Sequence, residues 1–85
     1  MTLENLDLQR VMAREPEERD LIRILGKCTA IRPENRPIRR VCENLARAGV
    51  GVLTFKRGRY SLTEQGSCEY RALVSAELLD LERLE

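Results

Sequence analysis

The sequence predicts a mainly α-helical fold with one β-hairpin, set between the third and fourth helices. Three observations predict it. Charged residues make up 34% of the chain and aromatics only 4%, a mix that suits helices with solvated faces better than a β-sandwich. Apolar residues recur at helical spacing in four stretches,. Strand-like alternation occurs over residues 53–62, centred on Arg57-Gly58,. With 85 residues, the chain reads as one domain over 1–85. Within it, 1–15 form an N-terminal helix, 16–66 the core and 64–85 a C-terminal helix. A chain this short buries only roughly 60–65% of its extended surface, so its core is small and a partner subunit would add burial.

Thr2 is a candidate cap for a first helix from about Leu3 to Arg14, whose loose apolar face is Leu3, Leu6, Val11 and Met12,. Glu15-Pro16 interrupts it. The residue before proline disfavours helix, and proline opens a new one in its first turn. The second helix runs from about Pro16 to Lys27, with Leu21, Ile22, Ile24, Leu25 and Cys28 as a broad apolar stripe,. Glu17, Glu18 and Asp20 fall in its first turns, where the helix dipole favours acids,.

Pro33 and Pro37 limit regular structure after Cys28,. Asn35 or Arg36 then caps a third helix, about Arg36 to Ala48,. Its Ile38, Val41, Cys42 and Leu45 recur at i, i+3, i+4 and i+7, so they are expected to face the core,. Arg36, Arg40, Glu43 and Arg47 fall on the opposite face, flanked by Arg39 and Asn44. Gly49 stands where a left-handed residue ends a helix,.

The hairpin follows. A two-residue turn at Arg57-Gly58 pairs Phe55 with Tyr60, Leu53 with Leu62, Thr54 with Ser61 and Lys56 with Arg59,. Leu53, Phe55, Tyr60 and Leu62 then share one face. A bulged turn would shift this register by one. Thr63 caps the last helix, which runs to about Arg83 and carries Tyr70, Leu73, Val74, Leu78, Leu81 and Leu84 along one side,.

Net charge is only +1, but its distribution is uneven. Residues 1–20 and 60–85 are acidic. Residues 32–59 hold Arg32, Arg36, Arg39, Arg40, Arg47, Lys56, Arg57 and Arg59 against Glu34 and Glu43. A basic middle between acidic ends is a local electrostatic footprint that the total hides.

Cys28, Cys42 and Cys68 show no metal-ligand spacing, and the chain has no histidine, so no metal is expected and the thiols read as reduced, small hydrophobes. The N-terminus has no basic, apolar leader and no stretch nears about 20 apolar residues. The expected setting is therefore the cytoplasm, with no membrane partner. Enzyme activity and a cofactor are not expected. There is no histidine for acid–base work, and Gly49-Val50-Gly51 precedes a strand rather than a helix,.

The basic third helix and hairpin tip are the candidate site. Arginine's planar fork grips phosphate and makes two hydrogen bonds to a guanine edge. Arg36, Arg39, Arg40, Asn44 and Arg47 would lie in a major groove, with Asn44 able to read adenine. Lys56, Arg57 and Arg59 would grip phosphate or an adjacent minor groove.

The run Leu45-Ala46-Arg47-Ala48-Gly49-Val50, then Leu53, then Gly58-Arg59-Tyr60-Ser61-Leu62-Thr63-Glu64-Gln65-Gly66, resembles the end of a bacterial winged helix-turn-helix domain. It is most like the MarR and PadR transcription regulators, where a wing and Tyr-x-Leu-Thr-x-x-Gly follow in this order. The resemblance implies a winged helix flanked by N- and C-terminal helices. Arg36 to Arg47 would be its recognition helix and Lys56 to Arg59 its wing tip. It also implies transcription control through double-stranded DNA, as a homodimer. Leu3, Leu6, Tyr70, Val74, Leu78 and Leu81 on the terminal helices are the candidate dimer residues; the same helices could instead pack on their own domain. Only 20 residues separate Leu25 from Leu45. The family's positioning helix is therefore very short, absent, or replaced by the Pro33–Pro37 segment. The alternative function is a protein-interaction module, such as an assembly subunit or phage-type accessory inhibitor, whose arginines meet an acidic protein.

Overall fold

The second, third and fourth helices each start where the chain supplies a local signal for it. The structure is a computed structural model that describes residues 3–83, and the side chains of residues 6–78. The elements are α1 (Leu3–Met12), α2 (Pro16–Lys27), α3 (Arg36–Leu45), β1 (Leu53–Lys56), β2 (Arg59–Leu62) and α4 (Glu64–Arg83). The strands pair as one antiparallel hairpin. This is the mainly α fold with a single hairpin that the sequence predicts. Thr2, the expected first cap, lies outside the described residues.

Pro16 opens α2, and the Glu18 carboxylate accepts from the Glu15 N–H at 3.0 Å. Asn35, not Arg36, caps α3: its side-chain oxygen accepts from the Ile38 N–H at 3.0 Å,. Thr63 caps α4 by accepting from the Gly66 N–H at 3.1 Å. The Thr63 hydroxyl also reaches the carbonyls of Gly51 and Val52, tying this cap to the start of β1.

Two helix ends differ from expectation. α1 stops at Met12 rather than Arg14, ahead of an extended Glu15 whose conformation Pro16 dictates,. α3 stops at Leu45 rather than Ala48. The Val50 and Gly51 N–H groups both turn back onto the Arg47 carbonyl, at 2.9 and 3.0 Å, so the chain makes another turn before reversing. The left-handed residue is therefore Gly51 (φ 66°), not Gly49,.

The hairpin takes the unbulged register, pairing Leu53 with Leu62, Thr54 with Ser61, Phe55 with Tyr60 and Lys56 with Arg59. Ile31 adds a rung to the free edge of β2. Its N–H donates to the Tyr60 carbonyl at 2.9 Å, and the Tyr60 N–H donates back at 2.8 Å.

Val11, Leu21, Ile22, Leu25, Cys42, Leu45, Val52, Leu53, Tyr60 and Leu73 form the core. Each large one contributes roughly 1.5–3 kcal/mol relative to an exposed side chain. Several residues expected in apolar stripes are not in it. Met12, Ile24, Cys28 and Ile38 are exposed, whereas Leu8 packs on the core. Ile24 and Ile38 stay open because residues 28–35 form no helix to cover them. Cys28 lies just past the end of α2. Phe55 is on the expected face, yet 57% of it is exposed because the hairpin extends beyond the core.

The terminal helices pack on their own domain. α1 lies mainly along α4. Glu69 of α4 is fully buried, and Arg14 grips it with two hydrogen bonds, at 2.6 and 3.1 Å. Gln65 adds a third donor at 3.0 Å. The bond to Glu69 raises the Arg14 guanidinium pKa above its ordinary value, against the opposing effect of burial. Tyr70 seats its ring over Gly26, joining α4 to α2. A Cβ at position 26 would land on that ring.

Candidate functional site

The surface of α3 carries the first half of the site. Asn35 starts the helix, while Cys42 and Leu45 anchor its inner face. That orientation leaves Arg36, Arg39, Arg40, Asn44 and Arg47 exposed, as expected. Arg47 donates to the Asn44 side-chain oxygen at 3.3 Å. Asn44 must release that bond before it can offer both amide atoms to one partner. Arg36 and Arg40 stand on the rim of a groove of about 880 Å³ between α2, α3 and residues 31–37. Ile24, Ile31, Pro33, Ile38 and Val41 are among its apolar walls, and Glu17 and Asp20 lie on its α2 side. Burial of Tyr60, reinforced by the nearby Glu43 and Cys42 and opposed by Arg39, raises its hydroxyl pKa.

The hairpin tip carries the second half. Arg57 (φ 53°) and Gly58 (φ 79°) are both left-handed, the requirement of a type I′ turn. Glycine adopts this freely, but arginine does so at a cost of roughly 1–2 kcal/mol. Lys56 sits directly opposite Arg59, and like charges facing across a hairpin are destabilising. The tip therefore holds a strained residue and a repelling pair in adjacent positions, both basic. Such local costs cluster at functional sites. The Phe55 ring leans on Tyr60, with centroids 4.7 Å apart, and stays largely exposed beside this tip.

Replacing Arg57 with asparagine, which tolerates the left-handed region, should stabilise the hairpin by about 0.5–1 kcal/mol. The same change should weaken binding to any polyanion. Thermal melts paired with a binding titration check both; a melting temperature at or below that of the natural protein contradicts the strain.

Ion pairs engage three arginines outside the site, while Arg19, Lys27 and Arg71, also outside it, have none among the described residues. Among the described residues, Arg10, Arg14 and Arg23 pair with Asp7, Glu69, Asp20 and Glu77. All three belong to α1, α2 or the link between them. No salt bridge among the described residues engages Arg36, Arg39, Arg40, Arg47, Lys56, Arg57 or Arg59. Arg32 has no ion-pair partner among the described residues either, and it reaches the tip: its Nη2 is 3.8 Å from where a Gly58 Cβ would stand. Sequence reasoning counted Arg32 among the basic residues but left it out of the site. The edge rung at Ile31 brings it there, and such an isolated pairing has no periodic signal.

Other expected features have the following places. Cys42 is buried, and burial raises its thiol pKa. Cys68 is partly buried. No group of three potential metal ligands occurs among the described residues. No described helix is long and apolar enough to cross a membrane. Of the candidate dimer residues, Leu6 and Leu78 are exposed, Val74 is half-buried, and Tyr70 packs against the core of its own subunit. The side chains of Leu3 and Leu81 lie outside the described residues. A scan of protein-family models and searches of curated proteins and solved structures find no match to this chain.

Proposed function

We propose that this chain is a small DNA-binding protein, a transcriptional regulator built as a winged helix that has lost its positioning helix. The observation that carries this reading is the partition of ion pairs. Arg10, Arg14 and Arg23 are paired with carboxylates within the protein, whereas no salt bridge among the described residues engages the arginines of α3 or the hairpin tip. An array of unpaired arginines, offset along residues 32–59 only by Glu34 and Glu43, attracts an external polyanion,. α3 would lie in the major groove and the hairpin would act as the wing. Action in the cytoplasm as a homodimer belongs to the same proposal. Light scattering after size exclusion tests the dimer.

Arg40→Glu is the decisive substitution. Arg40 is exposed and clear of the core, so the variant should fold normally and lose duplex binding. The natural protein should bind duplex DNA at low salt and weaken by roughly 10³-fold between 50 and 200 mM if about six phosphates are contacted. A mobility-shift titration with no affinity at low salt would sink the proposal.

The open groove favours a second reading. Its exposed Ile24 and Ile38 lie beside Arg36 and Arg40. That combination fits an amphipathic helix with an acidic flank, supplied by a partner protein. In this reading, the uncharged change Ile38→Ser strongly weakens partner binding. In the DNA reading it leaves duplex affinity within a few fold.

A further inference from the structure

We infer that Arg32 closes a phosphate clamp against the hairpin tip, and that its ligand is a single backbone phosphodiester of bound duplex. This rests on the DNA-binding reading and adds a residue and a defined pocket to it. A cleft of about 440 Å³ separates residues 29–32 from the hairpin. Thr29, Ala30 and Arg32 form one wall; Lys56, Arg57, Arg59 and Ser61 form the other. Four cations and two hydroxyls therefore face one hollow, and no carboxylate lines it. None of the four cations has an ion-pair partner among the described residues.

The walls are held at a set spacing. The Ile31–Tyr60 rung joins them through two backbone hydrogen bonds of 2.9 and 2.8 Å, so the cleft is braced by the fold. Its chemistry matches one kind of ligand. The cations attract an anion, guanidiniums donate in pairs to phosphate oxygens, and hydroxyls supply neutral donors. Ala30 is the only apolar residue in the lining, so an apolar ligand has little to bind.

Arg32 also explains why a polymer fits better than free phosphate. It lines the α2–α3 groove together with Arg36 and Arg40, as well as this cleft. It thus joins the basic surface of α3 to the basic tip. A strand leaving α3 toward the hairpin meets Arg32 on its way, and phosphate contacts of this kind set orientation rather than sequence preference.

The test compares the natural protein, Arg32→Gln and Arg71→Gln. Arg71 is exposed on α4 and lies outside the cleft. Fluorescence anisotropy with a short mixed-sequence duplex is read across a salt series. Arg32→Gln should weaken low-salt binding several-fold and reduce the slope of log K against log salt by about one. Arg71→Gln should change neither. Amide spectra of the natural protein should show Thr29–Arg32 and Lys56–Ser61 shifting with duplex. They should not shift with inorganic phosphate at equal phosphate concentration. An unchanged slope for Arg32→Gln, with the natural protein still binding, overturns the clamp and leaves the DNA reading standing. Equal shifts with inorganic phosphate overturn the duplex-backbone assignment. Failure of the natural protein to bind duplex at all overturns both readings.

Discussion

Arg14→Met costs the fold roughly 3–5 kcal/mol, because it strands the carboxylate of Glu69 inside the protein. Glu69 is fully buried in α4, and Arg14 supplies two of its three side-chain hydrogen bonds. Removing one partner of such a pair is far more damaging than removing both. A chain of this size has a total stability of only about 4–13 kcal/mol, so the variant loses roughly a quarter of it at the least. Arg14→Met combined with Glu69→Leu, which removes both charges, should recover most of the loss. Urea denaturation followed by circular dichroism measures each variant. An Arg14→Met midpoint matching the natural protein would show that α1 does not depend on this pair.

Gly66→Ala costs about 3 kcal/mol, at the upper end of overpacking effects. A Cβ there would collide with the Val52 carbonyl oxygen and stand 2.9 Å from Leu62 Cδ2. Backbone cannot step aside as a long side chain can. That carbonyl also accepts from the Thr63 N–H at 3.0 Å, so pushing α4 away disrupts its own cap. Gly49→Ala is the control. Nothing lies within 4 Å of a Cβ at Gly49, and the backbone there is not left-handed, so this substitution should be neutral or slightly stabilising. Thermal melts of the two variants decide the matter; equal melting temperatures would refute the close packing of α4 on Val52.

Gly66 also clarifies the motif that suggested a winged helix. Tyr60 is buried and pairs with Ile31, Thr63 caps α4, and Gly66 allows α4 to approach Val52. Each of these residues serves the fold. The motif therefore speaks for an architecture, and function has to be argued from other residues. Those are the arginines, whose exposure on α3 was legible because the helical period places them opposite Cys42 and Leu45. Their lack of internal partners was not legible. It depends on where the carboxylates of α1, α2 and α4 end up.

The cap at Thr63 and the break at Pro16 could be read in the chain, and the cap of α3 and the hairpin register were each narrowed to two choices, because all depend on interactions only a few residues apart. Whether an apolar face is covered depends on distant elements. Spacing alone made Ile24 and Ile38 look like core residues, yet the segment from 28 to 35 forms no helix above them. Packing also set α1 along α4 through Arg14 and Glu69, and drew Arg32 to the hairpin through the Ile31 rung. Helical period and capping act over a turn or two, so the chain displays them directly; burial, pairing and clustering of charge arise only when segments far apart in sequence meet.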